Sequence, residues 1–167
     1  MTHFSKLAYV VGPFVGLFIT GAAFADPDDK VKSVEVEMDI TALTNAAAAE
    51  RFANTAADLQ NAILARVVDR TADEGMEVKI DLSEVELSNS YTDAVGAADT
   101  RLVGTVNVSD MGDNTNFNTY ELTVTVEQAA PFFPEGYDMA SLTASSDEFY
   151  TAMIDAFADG VVRRLDE

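Results

Sequence analysis

Residues 119–127 read Thr-Tyr-Glu-Leu-Thr-Val-Thr-Val-Glu. Tyr120, Leu122, Val124 and Val126 alternate there with Thr119, Glu121, Thr123, Thr125 and Glu127. A strict period of two predicts a strand with one apolar face and one polar face. Working outward, the same pattern recurs three times. Val34, Val36, Met38 and Ile40 alternate with Glu35, Glu37 and Asp39, and Met76, Val78, Ile80 and Leu82 alternate with Glu77, Lys79 and Asp81. After Leu82 the phase shifts, because Val85 and Leu87 are apolar, and an extra residue near Ser83-Glu84 predicts a bulge that bends the strand. The remaining run places Leu102, Gly104, Val106 and Val108 on one face.

Two segments carry helical spacing instead. Between Thr44 and Arg70, Phe52, Ala56, Leu59, Ile63 and Val67 recur at steps of three and four, with Gly75 just beyond the end. Ala46 to Ala49 add intrinsic helix propensity. The second helix opens at Ser145 with Glu148 three residues on, a capping-box spacing. Its stripe is Tyr150, Ile154, Phe157, Val161 and Leu165, and Arg163 and Arg164 suit the negative end of the helix dipole. Gly160 inside this helix predicts a close approach to the sheet.

The order is therefore β-α-β-β-β-α. A sheet that is apolar on one face must be covered on that face, and two amphipathic helices suffice. The expected fold is α+β, a two-layer sandwich with a four-stranded, mostly antiparallel sheet and two helices on one face. Short loops make the last three strands an antiparallel meander, whereas the helical crossover lets the first strand join in parallel. The order is similar to the layout of periplasmic auxiliary proteins of envelope assembly, such as the lipopolysaccharide-assembly lipoprotein class. Many members of that class carry a lipid anchor on an N-terminal Cys, and this chain has no Cys. The likeness is one of layout, which does not fix function.

The N-terminus reads as an export signal. Lys6 is the only charge in residues 1–6, Leu7 to Ile19 is apolar, and Ala23-Phe24-Ala25 has the small-x-small form that signal peptidase accepts. Leu7 to Ala25 is barely long enough to span a bilayer, and Gly12-Pro13 and Gly16 weaken it as a helix. The expected organisation is a signal peptide over residues 1–25, a flexible acidic tail over 26–32 and a single domain over 33–167. Cleavage after Ala25 places the protein in the periplasm or outside the cell, with no membrane insertion afterwards.

Charge and composition exclude much of the remaining chemistry. The 167 residues hold 29 Asp and Glu against 10 Lys and Arg, a net charge of −19. Nucleic acid is excluded as a partner, because phosphate recognition needs clustered bases. Loss of the leader removes Lys6 and no acid, so the mature chain reaches −20. It also loses His3, the only His, and with no Cys anywhere it lacks the residue types for Ser-His-Asp or Cys-His catalysis and for imidazole or thiolate metal ligands. No phosphate-cradling glycine motif occurs. No cofactor is expected, and catalysis is reduced to a carboxylate-dependent hydrolase, which needs two carboxyls in one cleft.

Three features are candidates for binding. The polar sheet face collects Glu35, Glu37, Asp39, Glu77, Lys79, Asp81, Arg101, Thr105, Asn107, Glu121, Thr123 and Thr125; it reads either as a solvated face or as a dock for a basic partner. Phe132 and Phe133 lie between Pro131 and Pro134, with Tyr137 following. Stiffened aromatics make binding anchors, with Tyr91 in the second long loop lining the same end, although loop aromatics also close small cores. The oxygen-rich loop with Asp110, Asp113, Asn114 and Asn116 is a candidate calcium site, but it lacks EF-hand spacing and has ordinary turn chemistry. The leading expectation is an exported, non-catalytic periplasmic binding or accessory module that docks onto another envelope protein. The alternative is a stand-alone small-ligand or calcium-binding exported protein.

Overall fold

The computed structural model describes residues 30–39, 46–83, 100–110, 117–138, 143 and 146–167. The leader, residues 84–99 with Tyr91 and the expected bulge, and the loop carrying Asp113, Asn114 and Asn116 lie outside them, as does Ser145. Four strands form one sheet in chain order: β1 (Val31–Glu37), β2 (Met76–Leu82), β3 (Arg101–Asp110) and β4 (Phe117–Thr125). β1 pairs in parallel with β2, and β2, β3 and β4 make an antiparallel meander. This is the expected α+β sandwich with a mixed sheet.

The parallel pair exists because a helical crossover separates its strands. That segment is two helices, α1 (Ala46–Arg51) and α2 (Thr55–Arg66), followed by a 3₁₀ turn over Val68–Arg70. The single helix expected from Thr44 to Arg70 breaks at Phe52–Asn54, where the Thr55 amide donates to the Phe52 carbonyl at 3.0 Å and the helix restarts behind Asn54. Asn54 makes no side-chain cap; its carbonyl instead accepts from the Asp58 amide at 2.8 Å, the first bond of the new helix. Gly75 then brings the chain into β2 with a φ of +137°, so close to β1 that a Cβ there would lie 2.4 Å from the Lys30 carbonyl oxygen. Only glycine tolerates both conditions.

At the other end, the period-two run of β4 stops at Thr125 and Val126 begins a short helix, α3 (Val126–Ala129), which a 3₁₀ turn over Ala130–Phe132 extends. Thr125 and Gln128 form a capping box: the Thr125 amide donates to Gln128 Oε1 at 2.8 Å, and the Gln128 amide donates to Thr125 Oγ1 at 3.4 Å. This T-x-x-Q spacing satisfies two otherwise orphaned donors and ends the strand where alternation alone would continue it. The last helix, α4 (Asp147–Leu165), is capped by Ser146, whose Oγ accepts from the Phe149 amide at 3.1 Å. The cap therefore falls one residue after the expected Ser145.

α2 and α4 pack against each other over the same face of the sheet, α2 against β1 and α4 against β3 and β4. Val78, Ile80 and Val106 from the sheet, Leu59 and Ile63 from α2, and Phe157 and Val161 from α4 are essentially inaccessible to solvent. The centre of the layer is Phe157 on Gly104. A Cβ on that glycine would lie 3.1 Å from Phe157 Cζ, so the bare strand backbone makes room for the ring. Gly160 similarly faces Leu122, as the close-approach reading expects. Polar contacts tie the helix pair at its rim: the Tyr150 hydroxyl donates to Asp58 Oδ2 at 2.7 Å, and Arg66 pairs with Asp155 at 2.8 Å. β1 begins at Val31, fully buried, so the ordered domain starts inside the stretch read as a tail.

Candidate functional site

All described helices that pack on the sheet lie on one face, and no described helix covers the other. Register sets its rows. The first runs Ser33, Glu77, Ser109 and Phe117; the second Glu35, Lys79, Asn107 and Thr119; the third Glu37, Asp81, Thr105 and Glu121. Apart from Ser33, Ser109 and Phe117, these are residues that period-two alternation assigns to the polar face.

The charges of the first two rows are compensated. Lys32 reaches Glu77 at 2.6 Å, and this hydrogen bond and the carboxylate charge raise the Lys32 pKa above the ordinary lysine value. Lys79 pairs across the strands with Glu35 at 3.3 Å, and Thr119 Oγ1 donates to Asn107 Oδ1 at 2.9 Å. The third row is different. Glu37 stands directly opposite Asp81, with Glu121 two strands further along the same row. None of these three acids has an ion-pair partner among the described residues. Like charges opposite one another in a sheet are destabilising, so the fold carries this row at a cost.

Beyond the third row the face sinks into a depression of about 440 Å³, lined by Asp81, Ser83, Arg101, Val103, Glu121 and Thr123. Val103 shares the outward parity of Arg101 and Thr105, yet it is only 8% exposed, an apolar floor that the alternation pattern did not single out. The signal was present in the sequence as a Val at an outward position. At the other end, Phe117 is 68% exposed beside Ser109.

The aromatic loop packs against the core with its rings partly exposed. Phe132 and Phe133 are half-buried and pack against the core, and Tyr137 stacks on Phe133 with ring centroids 5.1 Å apart. Gly136, with a φ of +79°, turns the chain to bring that ring back. The rings close one end of the helix–sheet layer instead of standing clear of it. Of the candidate calcium residues, Asp110 is the last residue of β3, opposite Met76 of β2. Among the described residues no group of three or more His, Cys, Asp or Glu side chains could hold a metal, and no helix is long and apolar enough to cross a membrane.

A second unusual spot lies where the C-terminus of α4 meets β4. Arg164 lies over the Tyr120 ring, 5.2 Å from its centroid, and Tyr120 Oη is buried with no hydrogen-bond partner. Burial raises the Tyr120 pKa, opposed by the Arg164 charge and aided by Glu167. A buried hydroxyl left without a hydrogen-bond partner costs the fold stability.

No protein-family model, no curated protein and no solved structure matches this chain.

Proposed function

We propose that this chain is an exported, non-catalytic accessory module that docks through the open, acidic face of its sheet onto a basic surface of another cell-envelope component. The observation that carries the reading is the third row. Folding alone favours complementary pairs, which the two neighbouring rows possess, so three unpaired acids held in register favour a cation brought by something else. The leader over residues 1–25 supports the export part, and the absence of His and Cys from the mature chain supports a binding role over catalysis. The packing of Phe132 and Phe133 against the core supports the sheet face over that loop as the dock.

The test is site-specific photo-crosslinking in intact cells. A photoreactive residue at Thr105 or Glu121 should capture one envelope partner, and one at exposed Asn61 on the helix layer should not. Capture from Asn61 alone, or from neither face, defeats the proposal. Intact-mass measurement of the exported protein checks the leader: a chain beginning at Asp26 is expected, and a mass that retains residues 1–25 removes the export step.

A further inference from the structure

We infer that the β4 edge is where an extended, basic segment of the partner adds to the sheet as a fifth, antiparallel strand. This rests on the docking reading above and specifies its geometry. The sheet has two edges, and the fold treats them differently. Along β1 two of the outer backbone groups are occupied, one toward each end of the strand: the Val36 amide donates to Gln60 Oε1 of α2 at 3.3 Å, and the Val31 carbonyl accepts from the Ala72 amide at 3.0 Å. β4 runs for nine residues with an unbroken register to β3, and it carries neither Pro nor Lys. Natural edge strands are usually protected by such residues, by bulges or by shortness.

The direction of its free groups follows from the register. The Ser83 amide donates to the Val103 carbonyl at 2.9 Å, so the odd residues of β3 turn their backbone toward β2 and the even ones toward β4. The partners of those even residues on β4 are Asn118, Tyr120, Leu122 and Val124. Thr119, Glu121 and Thr123 therefore point their amides and carbonyls away from the sheet, and among the described residues nothing takes them. The Thr125 amide obeys the same parity, and it is the one closed off by Gln128.

A residue paired antiparallel with Glu121 sends its side chain to the same face as Glu121, at the β4 end of the acidic third row. Backbone pairing and charge thus select one occupant, a strand with Lys or Arg at alternate positions. A second copy of this chain fits poorly, because it brings its own Glu121 and a net charge of −19.

The probe is a capped nonapeptide of alternating Lys and Val, compared with two isomers N-methylated at either the Lys or the Val amides. In the inferred register the Lys amides face β4. Methylation there should weaken binding at least about tenfold through lost backbone bonds, while methylation of the Val amides leaves it unchanged. Glu121→Lys should weaken the parent peptide about tenfold. Equal binding of the two isomers overturns strand addition in favour of adsorption to the face, and face docking survives. No binding by any peptide also overturns it, and the Glu121 crosslink then decides docking separately. A dimer in sedimentation equilibrium that Thr123→Pro dissociates overturns it too, by giving the edge to a second copy.

Discussion

The two faces of this sheet are built to opposite standards. On the covered face nearly every outward atom meets another: Phe157 fills the space above Gly104, and Leu122 fills the space beside Gly160. On the open face the charges of two rows are compensated and the third sets Glu37 against Asp81. That row is where the two faces differ most, and it is the row on which the proposed docking rests.

The largest expected effect breaks the covered face. Phe157→Ala removes a fully buried ring and should cost about 3–5 kcal/mol in urea unfolding, a large share of a domain's stability. A loss below about 1 kcal/mol would mean that the layer is loosely packed. Next, the pair Phe132→Ser with Phe133→Ser should cost about 2 kcal/mol or more, as half-buried rings that close the core. An unchanged transition midpoint would return both rings to the solvent and revive the loop as a binding element.

Tyr120→Phe sharpens the comparison at the rim. Removing a buried hydroxyl that has no partner should leave stability unchanged or raise it by up to about 1 kcal/mol at pH 7. The sign of the pH effect follows from burial. Because the folded-state pKa is raised, the neutral phenol's contribution is intact below the ordinary tyrosine value near pH 10 and is lost as pH rises through the folded value. Unfolding measured from pH 8 to pH 11 should therefore show an alkaline decline that is shallower in Tyr120→Phe. The smallest effect has the opposite sign from the first: Glu37→Gln should stabilise the protein by about 0.2–1 kcal/mol while weakening capture of the partner. A loss of stability instead would show that Glu37 has a favourable role in the fold.

Most of the architecture was legible in residues with two-fold or helical spacing. Met76, Val78, Ile80 and Leu82 are all buried as their alternation requires, and the parallel placement of β1 follows from the crossover before β2. What the pattern missed are places where a local hydrogen bond overrules periodicity. Val126 keeps the phase of β4 but belongs to α3, because Gln128 is spaced to cap Thr125. Asn54 interrupts a stripe that Phe52 and Leu59 otherwise continue. The acids of the open face were legible as a set, but the third row was not. Which acid opposes which depends on pairing between strands far apart in the chain, and alternation within one strand carries no register information.

β1 has a consequence for the order in which the molecule assembles. Val31 pairs with Met76, 45 positions away, whereas Ser109 pairs with Phe117, only 8 positions away. Loop closure over the longer span is entropically dearer and must wait for α2, so the β3–β4 hairpin is the natural nucleus and β1 is the last of the four strands to be secured. Until it arrives, β2 is itself a bare edge. Amide exchange should show this as faster opening of the β1 pairing than of β3, which would make the N-terminal strand the latch of the whole domain.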